Sequence, residues 1–437
     1  MTTSERLDRD LTQALTALAS PAYPDYFDDA LERATARRQR ARWAFPERWL
    51  PMQVTAQRVA APMWFPVRRL VLLALIALLV AALAVVGLSA SRRLPPPFGV
   101  AENGEIVYSD RGDIFARASE MADPRLLVGG PETDLTPIFS RDGTQFAFVR
   151  LADHDSEAAS LLVADADGSH VRNVLATSDP TSWDWSPSGR EAAVVVVDDR
   201  KPSLRIVTVD SHPQVRTIDL ASFKPVSAGW RAPAGDELIV TGTLDGRWTV
   251  LRVDPGTGTY RTIASGELAD PLATSLSPDG RWAAVTIFTG LAAWPLIVQL
   301  IDLDSGDHHR FGAELPQLPP PTDPFATAVS EGFPTWSPDA RRITFGRYFD
   351  EHDAHVNHQL WVASIDLDGA DAVPLGGVYR GESGNDPFAY AFSPDGTKVL
   401  VLVGDVGQML VGPAGGGQTT PMPWSANDLP TWQRVAP

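Results

Sequence analysis

LSPDGRWAAVTIF, Leu276 to Phe288, decides the fold, because its pattern returns along the chain. FSRDGTQFAFVR begins at Phe139, WSPSGREAAVVV at Trp185, WSPDARRITFGR at Trp336 and FSPDGTKVLVLV at Phe392. Each copy is an aromatic or apolar residue, a Ser-Pro-Asp-Gly turn, then an apolar run. Pro presets φ, Asp bonds to nearby backbone, and Gly supplies a positive φ. The run after the turn reads as a strand. The aromatic before it is suited to packing between neighbouring sheets. The turn residues are Ser140, Asp142, Gly143, Ser186, Pro187, Gly189, Ser277, Pro278, Asp279, Gly280, Ser337, Pro338, Asp339, Ser393, Pro394, Asp395 and Gly396. They are read as structural, not catalytic.

Spacing gives the architecture. Ser140 and Ser186 are 46 residues apart, and the next gap, to Ser277, is 91. A degraded copy belongs midway, and Trp230-Arg231-Ala232-Pro233-Ala234-Gly235-Asp236 lies there. With Arg231 in the Ser position, the gaps become 46, 45, 46, 60 and 56. A period near 45 residues with strand-like runs predicts an all-β propeller. A second run follows most copies, as in SLLVADADG from Ser160 and LIVQLIDLDSG from Leu296, and ends in a hairpin signal. A short fourth strand returns, such as Val171 to Leu175.

Six copies start six blades. Gly104 to Gly130 supplies three strands without a leading motif, and PTWQRV, Pro430 to Val435, supplies the missing first strand. Joining the two ends of the chain closes a seventh blade and removes the exposed sheet edge. Six blades is the alternative, with the copy at Trp230 an insertion.

The repeated W/F-S-P-D-G, apolar strand and I-D-L-D-G hairpin resembles the TolB-like propeller repeat, over roughly Asn103 to Pro437. The resemblance implies a fold shared by TolB and by the propeller domains of tricorn-like and prolyl-oligopeptidase-type peptidases. It implies no single function, since propellers host unrelated activities.

The chain has 437 residues and no Cys, which excludes disulfides, thiolate catalysis and Cys-ligated zinc. Its net charge of −17 is unevenly placed. Residues 1–69 hold 11 Arg against 8 acidic groups, whereas residues 70–437 hold 26 basic and 46 acidic groups. The acidic part repels phosphate backbones, so no nucleic-acid partner is expected.

LVLLALIALLVAALAVVGL, Leu70 to Leu88, has no charged residue in 19 positions. At about 1.5 Å per residue it spans the roughly 30 Å hydrocarbon layer of a bilayer. Arg37, Arg38, Arg40, Arg42, Arg48, Arg58, Arg68 and Arg69 precede it, and only Arg92 and Arg93 follow closely. The positive-inside rule places the N-terminus in the cytoplasm and the propeller outside, in a single-pass plasma-membrane protein. A cleaved signal peptide is the rival, but 69 residues precede the apolar run. The expected plan is a helical cytoplasmic tail at 1–66, a transmembrane helix at 67–90, a Pro-rich spacer at 91–102 and a propeller at 103–437.

The tail places Leu7, Leu11, Leu15 and Leu18 on one helix face, then PDYFDDALERATARRQR as a second helix. This layout resembles membrane anti-sigma factors, without their His-x3-Cys-x2-Cys zinc motif. It implies a cytoplasmic regulator as partner; the alternative is that the arginines only orient the span and meet anionic lipid.

Outside the repeat, His352, His355 and His358 in HDAHVNH have a spacing that suits divalent-metal ligation, weakly, against a polar loop. The turns Asp165-x-Asp167-Gly168, Asp302-x-Asp304-Ser-Gly306 and Asp366-x-Asp368-Gly369 lack the further carboxylates of a calcium loop and read as hairpins. No G-x-S-x-G, H-E-x-x-H or Walker motif occurs, so no cofactor and no enzymatic activity are expected. GAELPQLPPPTDPFATAVSE from Gly312 and YRGESGNDP from Tyr379 both precede a motif, hence emerge on one face of the ring. The function expected is a membrane-anchored module whose propeller binds a protein, peptide or glycan. The alternatives are an envelope scaffold and a metal-dependent enzyme sited in the channel.

Overall fold

In the computed structural model every Ser-centred turn joins the first strand of a sheet to the second, and seven four-stranded antiparallel sheets result. The described residues are 13, 94–151, 159–177, 180–290, 296–312, 315, 330–352, 355–382, 388–404 and 407–437. Among them no helix is long and apolar enough to cross a membrane. Leu70 to Leu88 lies outside them, as does the tail but for Gln13. The chain divides into Met1–Val86 and Gly87–Pro437, and the propeller belongs to the second unit.

Blade one takes its inner strand, Thr431–Val435, from the C-terminus. It pairs antiparallel with Glu102–Asp110, which pairs in turn with Asp113–Arg117, and Arg125–Val128 completes the sheet. The other six blades run inner strand to outer strand in chain order. Their inner strands are Thr133–Phe139, Pro180–Trp185, Lys224–Trp230, Asp270–Leu276, Ser330–Trp336 and Phe388–Phe392. The copy at Trp230 therefore starts blade four and is no insertion; the ring has seven blades.

Seven buried clusters fill the seven gaps between blades. Trp185 is packed with Val149, Leu161 and Val163 of blade two, and Trp336 with Ala284, Val298 and Leu300 of blade five. Phe139, Trp230, Phe392 and Trp432 occupy the same place in four other gaps, and Leu276 lies against the remaining one. Two of the indoles also donate to the preceding inner strand: Trp185 Nε1 to Ile138 O at 3.1 Å and Trp336 Nε1 to Ser275 O at 3.0 Å. Burying so large a side chain at each gap contributes about 2–3 kcal/mol or more.

The turn is fixed by its own side chains. Ser277 Oγ donates to Asp279 Oδ1 at 2.5 Å and accepts from Trp282 N at 2.8 Å. Asp279 also accepts from Arg281 N, and Gly280 N closes on Ser277 O at 2.9 Å. Ser140, Ser337 and Ser393 repeat the pattern with Asp142, Asp339 and Asp395. In blade three Ser188 takes the Asp place, 3.2 Å from Ser186 Oγ. Gly280 has φ +74, and a Cβ there would lie 1.8 Å from Ala232 O, so the turns of successive blades nest backbone to backbone. In blade four the turn is one residue longer, because Gly235 N reaches four residues back to Arg231 O rather than three. That extra residue, with Arg in place of Ser, is why the copy reads as degraded.

Candidate functional site

The inner strands run toward the Ser turns, so one end of the ring carries those turns and the hairpins between third and fourth strands. The other end carries the remaining loops. The two ends are built differently.

At the turn end lies a cavity of about 280 Å³ lined by residues from six of the seven blades. Its walls include Trp230, Trp336, Trp432, Phe392 and Pro278. The expected spacer does not stand clear of the ring. Pro95 and Ala101 are buried, and Pro97, Phe98 and Gly99 line the cavity. Arg434 Nη2 donates to Pro96 O at 2.9 Å and Gly99 O at 2.8 Å, and Ala101 N donates to Pro394 O at 2.9 Å. The Phe98 ring lies 4.4 Å from the Arg141 guanidinium, a cation–π contact, and packs against the cluster between blades three and four. A polyproline segment bonds none of its own carbonyls, so a guanidinium with several donors is a natural dock for it. Arg141 is balanced by Asp184, with contacts of 2.8 and 2.7 Å, and Asp184 also accepts from Trp230 N at 2.8 Å.

At the loop end blade six stands out. Its second, third and fourth strands, Arg342–His352, His355–Ser364 and Val373–Glu382, are 11, 10 and 10 residues long. His352 and His355 face each other across the tip of this hairpin. Their side chains lie outside the described ones. Position 358, three further along an extended strand, falls on the other face from position 355. His358 is buried edge-on against Tyr348, with ring centroids 4.8 Å apart. Burial pushes its pKa down to about 4. It is therefore a neutral ring packed against Tyr348, and Tyr379 is its register partner on the next strand. Among the described residues no group of three His, Asp or Glu is placed to hold a metal ion. The Asp hairpins use their carboxylates on their own backbone. Asp302 Oδ1 accepts from Asp304 N and Ser305 N at 3.0 Å, and these bonds, Ser305 foremost, hold its pKa low.

A buried ion pair at this end has no local signature in the chain. Glu331, second in the inner strand of blade six, lies directly opposite Arg347 and 3.4 Å from it, both side chains 5% exposed. Arg310 approaches Glu331 from blade five at 3.1 Å. Burial lowers the Arg347 pKa, and Glu331 opposes that shift. Blade two repeats the device: Asp134, second in its inner strand, receives Arg150 at 2.7 Å and 2.8 Å. Pairing by register across two strands is the signal that would have found both.

Solved structures give the fold its relatives. A prolyl endopeptidase aligns over 76% of this chain with 15% identity and a TM-score of 0.51, and the chain spans half of that protein's length. The chain is a seven-bladed propeller with TolB proteins among its structural neighbours. TolB from Acinetobacter baumannii has 14% identity and a TM-score of 0.44, over 78% of this chain and 68% of that one. An oligogalacturonate lyase in complex with manganese has 13% identity and a TM-score of 0.48, over 73% and 85%. At such identities the likeness is one of fold. No family model matches the chain. No curated protein matches it either.

Proposed function

We propose that this chain is a single-pass membrane protein whose propeller stands outside the cytoplasm as a binding module for a protein, peptide or glycan. Its tail, residues 1–66, engages a cytoplasmic regulator, in the manner of a membrane anti-sigma factor. The observation that carries this reading is the 19-residue uncharged run Leu70 to Leu88, set between an Arg-rich tail and an acidic propeller. For the ligand, the reading favours the loop end of blade six, which has the longest strands and whose inner strand follows one insertion in the sequence. Variable loops on a rigid ring are the usual place for recognition.

The test is affinity capture from cell lysate with residues 1–66 as bait, against a scrambled tail. Enrichment of a sigma factor or polymerase-associated regulator is expected. Equal recovery on both baits would reduce the tail to an anchor and leave an envelope scaffold as the function.

A further inference from the structure

Arg434 is out of place in a domain with so many acids. It lies in the cavity at the turn end, in the strand that closes the ring. Among the described residues it has no carboxylate partner; its bonds are those of Nη2 to Pro96 O and Gly99 O. Its Nε is buried and has no hydrogen-bond partner. Burial, and then the charge of Arg141, push its pKa down to about 10. Arg141 beside it is already matched by Asp184, so Arg434 is the cation left over. A buried donor left bare is costly, and more so when it is charged. Arg434 itself lines the cavity.

The rest of the cavity is mainly apolar, with Arg141, Ser277, Thr335 and Thr431 as its other polar lining residues. Trp230, Trp336, Trp432 and Phe392 surround it, with the ring of Pro278. Its volume of about 280 Å³ lies at the small end of ligand pockets. A mainly apolar wall with one unmatched guanidinium selects for an anion on an apolar body. Both Nη2 hydrogens go to Pro96 O and Gly99 O, so an anion meets Nη1, in a charge-assisted bond of the kind a carboxylate accepts.

We propose that this cavity is a binding site for a small monocarboxylate carried on an aromatic or branched apolar body, with Arg434 as the group that recognises the carboxylate. The Pro96 and Gly99 carbonyls hold Arg434 in place, so docking of the segment and the site are one construction. The site is separate from the loop end and does not rest on the membrane topology proposed above.

The test is calorimetry on the full chain in a non-ionic detergent, with 3-phenylpropionate, 3-phenylpropionamide and inorganic phosphate as probes. The acid is expected to bind, the neutral amide at least about tenfold more weakly, because it forfeits a charge-assisted pair. Phosphate is expected to show no binding. R434Q should bring acid and amide to the same affinity. No binding of the acid would overturn the proposal, as would an amide that binds equally well or an R434Q that keeps the preference. Phosphate binding as tightly as the acid would also overturn it, since the apolar walls would then select nothing. The acid-to-amide comparison uses the unaltered protein, so it decides even if R434Q does not fold.

Discussion

At the turn end, Ser140, Ser277, Ser337 and Ser393 make the same two bonds to the same two neighbours, and each preceding aromatic or Leu plugs the same gap. At the loop end the blades differ in how far their strands run. Blade six carries strands of 11, 10 and 10 residues, whereas the outer strand of blade five has 3. Uniformity marks the end that must fit its neighbour on each side, backbone against backbone. Irregularity is tolerated where loops meet only solvent or a ligand. The difference teaches where to look: the repeat encodes a scaffold, and specificity lives where the repeat lapses or where a non-repeat residue, such as Arg434, intrudes on it.

The sharpest way to break the scaffold is at its seam. Deleting residues 431–437 removes the inner strand of blade one and bares one edge of Glu102–Asp110. The ring should lose its cooperative unfolding transition in a circular-dichroism melt; a transition as sharp as the full chain's would mean that blade one closes without it. Next comes the nesting of turns. Gly280→Ala forces a Cβ to 1.8 Å from Ala232 O at a φ of +74, and should cost about 3 kcal/mol or more by urea denaturation. Gly396→Ala has a similar φ, +71, but its nearest neighbour is 3.6 Å away, so only the conformational cost of about 1–2 kcal/mol applies. Equal losses would show that the close approach in blade five is not what fixes its glycine.

The loop end should differ in its response to pH. His358 has a folded pKa near 4, below its ordinary 6.5. The unfolded chain therefore binds more protons between those values, so stability is complete above 6.5 and falls as the pH drops toward 4. At pH 5 the loss is about 2 kcal/mol, at 1.36 kcal/mol per unit. In His358→Phe this part of the loss between pH 7 and pH 5 should vanish; an unchanged slope would place the titrating group elsewhere. The smallest effect belongs to Ala340, which holds the Gly place of its turn at φ +59. Ala340→Gly should raise stability by up to about 1 kcal/mol, read as a rise in Tm.

Much of the ring was legible because its signals are local. A turn needs its Ser, Pro, Asp and Gly within a few positions, and each run beside it alternates visibly. Trp282–Phe288 and Lys398–Val403, the runs that follow two of the turns, are strands. Blade four was half hidden, because Arg231 and one extra residue disguise its turn. The candidate sites were legible only in part. Arg434 and Pro96 are 338 residues apart, so their contact leaves no local trace. The spacer reading of the prolines was silent about their dock. Glu331 and Arg347 are ordinary surface residues by type, and only the register of the two strands turns them into a buried pair. His358 looked like a ligand by spacing, and its burial against Tyr348 depends on the face of the strand.

The proposed topology is open to a direct measurement, made clean by the absence of any Cys in the chain. Thr3→Cys marks the tail and Ser211→Cys an exposed hairpin of the propeller. A membrane-impermeant maleimide is applied to protoplasts before and after lysis. The account predicts labelling of Ser211→Cys in intact protoplasts and of Thr3→Cys only after lysis. Labelling of Thr3→Cys first, or protection of both until lysis, would contradict it.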